Sequence, residues 1–354
     1  MGKMPAKRHH YVPRVILRRF SLDPNADNPP LVRLDVDSGR PEKTSVNNET
    51  VIGHYYRLAD AGKLPPTHAE DTLAKIESDA AGPIRKLVDG EPLNPAERLQ
   101  MAMFLHVQRN RTPRGRTWGA SMYEQMAKVV METNLQNPEL VREQLKKVDS
   151  TKSDEDIERW RLEVLGYLKS GQLVVEAGQD HEVAGIFVVA AEVVPVIVER
   201  TTWLSLRAER GATFICSDHP VHIYDEKAPP DAGVGWVSSP TTEVTVPIDQ
   251  RVCLLLKRGP PTWELSNVDA AAVQEINLRT YASAQWSIYG PSQQVVQQVR
   301  TLVKRNRALV AQRRPRPPRA VIFERVEGEA RPRSTTVYRP PAGPPERRPK
   351  PRST

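Results

Sequence analysis

The apolar residues of this 354-residue chain change their spacing near Thr202, and that change constrains the fold more than any other feature. Before it, long segments keep helical spacing, and LQMAMFLHV at 99–107 is apolar nearly all round, which predicts a buried central helix. After it, short apolar runs divided by turns, such as TWLSLRA and RVCLLLK, predict strands. The sequence therefore predicts an α+β fold with a helical middle and a mainly antiparallel sheet in the C-terminal half.

Segments N-terminal to this change carry their own predictions. PRVILRRF at 13–20 begins with proline and predicts a short helix. LVRLDV at 31–36 and VIGHYYRL at 51–58 predict strands that can pair with those of the C-terminal half. The segment 69–88 has helical spacing, but Gly82-Pro83 is expected to kink or divide that helix.

The C-terminal segment 313–354 differs in composition from the rest of the chain. It contains twelve Lys or Arg and four Glu, a balance of +8 that equals the net charge of the whole chain, and ten of the 32 prolines. We therefore predict a nearly neutral core at 1–312 and a disordered, basic, Pro/Arg-rich tail at 313–354. The tail is interpreted as a tether for nucleic acid or acidic membrane, as a ligand for a proline-recognising domain, or as an extension without a partner.

Several function classes are excluded by what the sequence lacks. It has no apolar run long enough to span a membrane and no signal-peptide pattern at its start, which predicts a soluble cytoplasmic protein. Its two cysteines, Cys216 and Cys253, lie in apolar runs and are expected to be buried thiols. Without a Walker A loop, a Gly-x-Gly-x-x-Gly turn, a Cys-x-x-Cys pair or a His-Glu-x-x-His helix, the motor, Rossmann and zinc-finger classes are poorly supported.

Two histidines, His9 and His10, directly precede the predicted helix at 13–20. Helix N-termini attract anions, and Arg14 and Arg18 follow one helical turn apart, so this place suits a phosphate or carboxylate. We expect His10 to be a catalytic acid or base and His9 to bind the ligand. The alternative is that one histidine caps the helix and the other is solvated.

Two carboxylates, Glu70 and Glu77, are two helical turns apart and share a face. At that spacing they could bind a divalent cation such as Mg²⁺ or Mn²⁺, or divide the acid and base roles. The alternatives are a solvated helix face and pairing with arginines of the next helix.

Polar residues end the central helix and the TFICS strand. Gln108 and Arg111 share a helix face and are expected to bind an anionic group, although Arg111 could instead neutralise its own helix end. Asp218 follows the strand, and we expect it to be a catalytic residue that binds a metal or orients His10. The alternative for Asp218 is a turn in which it holds backbone N–H groups.

These residues lie in motifs that resemble DUF4238, a family of uncharacterised bacterial proteins, over roughly residues 7–310. The resemblance implies a role for Asn277 in binding but no established activity. The family usually has Asn where this chain has His219, so His219 is not expected to be essential. The matching segments are His9-His10-Tyr11-Val12-Pro13, Leu17 to Ser21, Glu70-Asp71 with Ile76-Glu77, Gln108 to Pro113, and Phe214 to Val221 with Pro247 and Asn277.

The residues favour a hydrolase acting on a phosphate-containing or nucleic-acid substrate, with phosphodiester cleavage as one form of that reaction. Two alternatives stay open. One is a non-catalytic binding module for a nucleotide, nucleic acid or other anionic ligand, and the other is a buried polar network that only fixes the fold. The neutral core counts against broad nucleic-acid binding by the core itself, so a small anionic molecule is an expected partner.

Overall fold

The computed structural model describes residues 8–58, 64–173, 175–228, 235–237, 239–313, 320–324 and 333–337. Within them the α+β class is confirmed. The helices are α1 (Arg14–Leu17), α2 (His68–Asp89), α3 (Pro95–Arg111), α4 (Pro113–Leu135), α5 (Pro138–Val148), α6 (Asp154–Lys169), α7 (Gln179–Ala184), α8 (Ala190–Glu199), α9 (Ala270–Ser283), α10 (Gln293–Arg305) and α11 (Arg307–Arg313). The strands are β1 (Arg8–His10), β2 (Pro30–Asp35), β3 (Pro41–Ser45), β4 (Val51–Gly53), β5 (Thr201–Ala208), β6 (Cys216–Ser217), β7 (His222–Asp225), β8 (Thr242–Pro247), β9 (Val252–Arg258), β10 (Trp263–Val268), β11 (Ser287–Gly290), β12 (Ala320–Glu324) and β13 (Arg333–Val337).

The larger sheet has the strand order β10-β5-β9-β8-β7 and comes entirely from the C-terminal half. Its pairs are antiparallel except β5 with β10, which confirms the mainly antiparallel prediction. Val252 to Leu256 of β9 are buried one after another, so β9 is covered on both faces. Such a continuous apolar run is typical of a central strand.

A second sheet, in the order β3-β2-β11-β6, joins the two ends of the core. Leu34 of β2 lies opposite Ile288 of β11, and both side chains are completely buried. The predicted strand at 31–36 thus pairs with a C-terminal strand. A separate pair, β1 with β4, carries the first motif.

The central helix is α3, as predicted. A capping box fixes its start: the Glu97 N–H donates to Asn94 Oδ1 over 2.9 Å, and the Asn94 N–H donates to Glu97 Oε2 over 2.9 Å. Met101, Phe104 and Leu105 lie in the largest apolar cluster of the described residues. Because α3 packs against α2, α4 and α8, its last turn brings polar residues close to the N-terminal segment.

Several predicted boundaries were wrong for identifiable reasons. α2 runs unbroken through Pro83, which is itself buried, because Ile84 and Leu87 anchor the helix in the core on the far side of the proline. The predicted strand at 51–58 ends at Gly53, since His54 has a φ of 53° and turns the chain. The predicted helix at 13–20 divides into α1 and a 3₁₀ turn.

Other predictions concern the tail, the thiols and the membrane. In the tail, β12 and β13 pair antiparallel, and the rest of 314–354, on which the prediction of disorder falls, lies outside the described residues. Cys216 and Cys253 are buried free thiols, and burial raises the pKa of each to about 12. Across the described part of the chain, every helix is too short or too polar to cross a membrane.

Candidate functional site

The two histidines of the first motif lie side by side on β1. That strand pairs antiparallel with β4, so His9 lies opposite Ile52 and His10 opposite Val51. Successive side chains of a strand point to opposite sides, which gives the two imidazoles different surroundings. His9 is only 5% exposed, whereas His10 is half-buried.

His9 is held between the β4 turn and α2. The backbone N–H of Tyr56 donates to His9 Nδ1 over 3.0 Å, and the two rings stack with 5.4 Å between their centroids. Because Nδ1 accepts, the ring proton lies on Nε2, which is 3.0 Å from Glu70 Oε1. Both nitrogens of His9 are thus engaged within the protein, and its contacts position β1 against α2.

His10 has one nitrogen fixed and the other close to a guanidinium. Its Nδ1 lies 3.1 Å from the carbonyl oxygen of Glu49, which can only accept, so Nδ1 carries the proton. The Nε–H of Arg14 donates to His10 Nε2 over 3.2 Å. These contacts define a neutral imidazole whose Nε2 lone pair faces Arg14.

The surroundings of His10 disfavour its protonated, positively charged form. Burial, and then the positive charge of Arg14, lower the pKa of His10 from 6.5 to about 4, with smaller contributions from Arg8 and Arg111 in the same direction. His10 is therefore a neutral base at physiological pH. An anion beside these guanidinium groups would raise the pKa of His10.

Arg111 ties the end of α3 to the first motif. Its Nε donates to the Tyr11 carbonyl over 3.0 Å, its Nη2 to the His10 carbonyl over 3.3 Å, and its Nη1 to Glu77 Oε1 over 2.7 Å. Its guanidinium is almost completely buried and directed at these protein acceptors. The structure thus places Arg111 as a cross-link behind the motif and not as the expected contact with a bound anion.

Gln108 shares this task with Arg111. Its amide Nε2 donates to the same Tyr11 carbonyl over 3.0 Å, and its side chain is 1% exposed. Two donors from one helix face therefore hold a single carbonyl of the motif. Gln108 lies beneath the motif, and its expected contact with a ligand is replaced by this internal one.

A cleft of about 300 Å³ opens between β1, α1 and α2. His10 and Arg14 line it from the motif, and the two carboxylates line it from α2. The full lining is His9, His10, Pro13, Arg14, Tyr56, Glu70, Leu73, Ala74 and Glu77. The structure thus brings four predicted residues, His9, His10, Glu70 and Glu77, into one cleft.

The two carboxylates have separate partners in the cleft. Glu70 lies against His9 and Glu77 against Arg111, so the second alternative, pairing with the next helix, holds for Glu77. Burial, and then Asp71, raise the pKa of Glu70. Among the described residues no three His, Cys, Asp or Glu side chains group as metal ligands. Glu70 and Glu77 thus have different partners in the cleft, and the expected Mg²⁺ or Mn²⁺ site stays a prediction.

The expected anion attraction of a helix N-terminus also needs correction. α1 has only four residues, which is too short to build a substantial dipole. The cationic side chain that lines the cleft is that of Arg14, which is exposed.

Asp218 lies in a different, closed corner of the molecule. Its Oδ1 accepts the Gln285 N–H over 2.8 Å, and its Oδ2 accepts the N–H groups of Trp286 and Ser287 over 2.7 and 3.0 Å. It is 2% exposed, does not line the cleft, and burial raises its pKa to about 6. The structure does not bring Asp218 to His10, and its contacts are those of the turn-holding alternative.

The neighbours of Asp218 are also engaged internally. His219 Nδ1 lies 2.6 Å from Thr112 Oγ1, and burial lowers the pKa of His219 well below 6.5. Asn277 bridges a backbone segment, with Oδ1 accepting from the Ile215 N–H over 3.1 Å and Nδ2 donating to the Thr213 carbonyl over 2.9 Å. The expected ligand-binding role of Asn277 is replaced by this bridge.

Two contacts of the cleft histidines are absent from the sequence-based expectations. The carbonyl of Glu49 sets the tautomer of His10, and Tyr56 orients His9. Every residue has a backbone carbonyl, so the sequence could not indicate the contact between Glu49 and His10. The only hint of the second is that Tyr56 lies in an aromatic pair near a predicted strand end.

Comparison with known proteins supports the resemblance seen in the motifs. A model of the family "Protein of unknown function (DUF4238)" matches residues 8–294, which is most of the chain. The chain belongs to the DUF4238 family. None of the curated proteins and none of the solved structures matches it significantly.

Proposed function

We propose that this protein is a hydrolase whose active site is the cleft, and that it acts on a phosphate-containing or nucleic-acid substrate. The observation that carries the proposal is the state of His10. Its Nδ1–H is held by the Glu49 carbonyl, and its Nε2 lone pair lies beside the guanidinium of Arg14. A neutral imidazole with one nitrogen fixed and the other at a cleft is the arrangement that general-base catalysis needs.

An anionic substrate is favoured by the charges around His10. Arg14 is exposed in the cleft, and none of the ion pairs between described residues includes it. A guanidinium makes paired hydrogen bonds with two oxygens of a phosphate. Arg14 is therefore the anion contact of the proposal.

The proposed reaction is hydrolysis of a phosphodiester. A water molecule attacks phosphorus, His10 Nε2 takes a proton from that water, and the bond between phosphorus and the leaving oxygen breaks. The leaving oxygen takes a proton from a donor in the cleft. We assign this role to Glu70, which lines the cleft and whose pKa is raised by burial and then by Asp71. His10 then returns the proton to Glu70 through solvent before the next turnover.

The size of the cleft and the composition of the tail limit the kinds of substrate that would bind. About 300 Å³ accommodates a nucleotide-sized group and not a duplex. The basic tail at 313–354 would hold a longer nucleic acid electrostatically while one phosphate enters the cleft. A bacterial, cytoplasmic setting is part of the proposal, and the unpaired thiols Cys216 and Cys253 suit a reducing compartment.

The second candidate is a non-catalytic module that binds a nucleotide or another anion in the same cleft. It is favoured by the engagement of Glu70 with His9 and of Glu77 with Arg111, which leaves few groups for catalysis. Binding without turnover would then be the function of the cleft.

The test is turnover by the full chain on a chromogenic phosphodiester, a chromogenic phosphomonoester, short RNA and short DNA, with and without EDTA. The variant His10→Asn keeps an amide donor for the Glu49 carbonyl and removes the base. We expect at least one substrate to be cleaved and the variant to be slower by about 10²- to 10⁴-fold.

The matched control is His68→Asn, an exposed histidine outside the cleft, which should keep the wild-type rate. If no substrate is cleaved but one of them raises the melting temperature, the binding module is correct and the hydrolase is not. Equal rates for both variants would also contradict the proposal.

A further inference from the structure

Arg14 occupies the atom through which His10 would act. The Arg14 Nε–H donates to His10 Nε2 over 3.2 Å, while His10 Nδ1 is used by the Glu49 carbonyl. In this state neither ring nitrogen has a lone pair free for a proton from another molecule. His10 therefore cannot act as a base until Arg14 withdraws.

The position of Arg14 allows such a withdrawal. It is the first residue of the four-residue α1, directly after Pro13, and its side chain is exposed. Its guanidinium has no carboxylate partner among the described residues, so the contact with neutral His10 is the interaction that an anion would have to outcompete. A phosphate attracts the guanidinium through its opposite charge, which neutral His10 does not have, and it can accept two hydrogen bonds from one guanidinium.

We propose that Arg14 is an anion-operated gate: a phosphate group bound in the cleft takes the guanidinium from His10 and thereby frees Nε2. The inference rests on the proposed function and deepens it, because it makes the charged group of the substrate the signal that activates the base. It assigns to the site substrates in which the reacting bond belongs to a charged phosphate group. Neutral esters and amides would leave the gate closed.

The charged groups around His10 reinforce this effect. From β1 and α3 it is faced by Arg8 and Arg111, and from α1 by Arg14, all of which lower its pKa. From α2 the cleft holds Glu70 and Glu77, which lie against His9 and Arg111. Withdrawal of one cation and arrival of an anion both favour the protonated imidazole, so the ligand also makes His10 a stronger base.

The experiment is NMR of the His10 ring nitrogens in the full chain, titrated with inorganic phosphate at neutral pH and across an acid series. The variant Arg14→Gln removes the gate. Arg18→Gln is the matched control, since Arg18 is an exposed arginine one turn further along whose Nη2 contacts the Ala26 carbonyl.

In the wild type we expect phosphate to move the Nε2 resonance at neutral pH and to raise the pKa of His10 by about one pH unit or more. Without phosphate, Arg14→Gln should already have a higher His10 pKa than the wild type, and phosphate should add little. Arg18→Gln should respond as the wild type does. Acetate serves as a second probe, and an equal response to it would show that the gate answers any small anion, which contradicts the assignment to phosphate.

The gate is wrong if phosphate leaves the Nε2 resonance of the wild type unchanged, or if Arg14→Gln responds as strongly as the wild type. These outcomes are separate from those of the turnover test. If phosphate moves Arg14 from His10 but no substrate is turned over, the hydrolase is wrong and the anion site is correct. If turnover depends on His10 but Arg14 has no effect in the titration, the gate is wrong and the hydrolase is correct.

Discussion

The first motif at 9–13 and the corner at 217–220 look alike in sequence, since each has histidine shortly before a proline. In the structure they differ in what their polar atoms contact. His10 borders a cleft, and the partner of its Nε2 is the exposed side chain of Arg14. Asp218 is buried and accepts three backbone N–H groups. A polar side chain can contact a ligand only where it is accessible from a cleft or the surface. His10 meets that condition and Asp218 does not.

The largest expected effect is on the closed corner. Asp218→Ala leaves the N–H groups of Gln285, Trp286 and Ser287 without an acceptor, and we expect a loss on the order of 4 kcal/mol in the free energy of unfolding. Urea unfolding measures it, with the exposed Asp37→Ala as the control that should stay near wild type. A variant of normal stability that no longer binds or cleaves its ligand would show that Asp218 belongs to the functional site.

The next effect concerns the cross-link behind the motif. Arg111→Met removes the donors to the Tyr11 and His10 carbonyls, and we expect a loss of about 3 kcal/mol. In a double-mutant cycle with Glu77→Gln the two changes should couple by about 1 kcal/mol or more, because the side chains are in direct contact. The exposed Arg40→Met should change little. Full stability of Arg111→Met together with lost phosphate binding would restore Arg111 as the anion contact.

The pH dependence of stability tests the open region. The pKa of His10 is about 4 in the folded protein and 6.5 in the unfolded chain, so between these values the unfolded chain binds the extra proton. Stability must therefore fall as the pH drops from 6.5 towards 4. The full shift corresponds to about 3 kcal/mol, and because His10 is partly solvated we expect about 2 kcal/mol.

Urea unfolding at a series of pH values measures this loss in the wild type and in His10→Asn. The variant should have a flatter profile over the same range, whereas His68→Asn should follow the wild type. Identical profiles for wild type and His10→Asn would show that the pKa of His10 is not lowered in the folded protein.

The smallest effect concerns the link between two family motifs. Thr112 Oγ1 accepts the Gly115 N–H over 3.2 Å and contacts His219, so Thr112→Val should cost about 1 kcal/mol. Thr72→Val, whose hydroxyl bonds only to the His68 carbonyl one turn back, is the control in a thermal unfolding series. If Thr112→Val is neutral, the closed corner does not depend on this contact.

Much of the fold could be predicted from residue spacing. The run 99–107 is apolar on all sides and becomes the buried part of α3, because such a helix is stable only inside the core. By contrast β10 was missed: its sequence WELSNV is polar, and it is a strand because β5 offers a free edge. The local sequence does not show that β5 has a free edge. It also does not show the core contacts that stabilise α2 on both sides of Pro83.

The candidate site could be predicted only in part. His9, His10, Glu70 and Glu77 carry chemistry in their side chains, and the structure places all four in one cleft. Whether a side chain is available to a ligand depends on partners distant in sequence. The carboxylate of Asp218 is occupied by N–H groups 67 to 69 residues away in the sequence. These are backbone groups, and residue type does not reveal them.

The different roles of His10 and Asp218 are distinguished by one rate measurement. Hydrolysis of the substrate found with the wild type is followed for His10→Asn and Asp218→Asn at a temperature where circular dichroism shows both variants folded. We expect a loss of about 10²- to 10⁴-fold for His10→Asn and the wild-type rate for Asp218→Asn, despite its lower melting temperature. A lost rate in folded Asp218→Asn with an unchanged rate in His10→Asn would contradict the placement of the active site at His10.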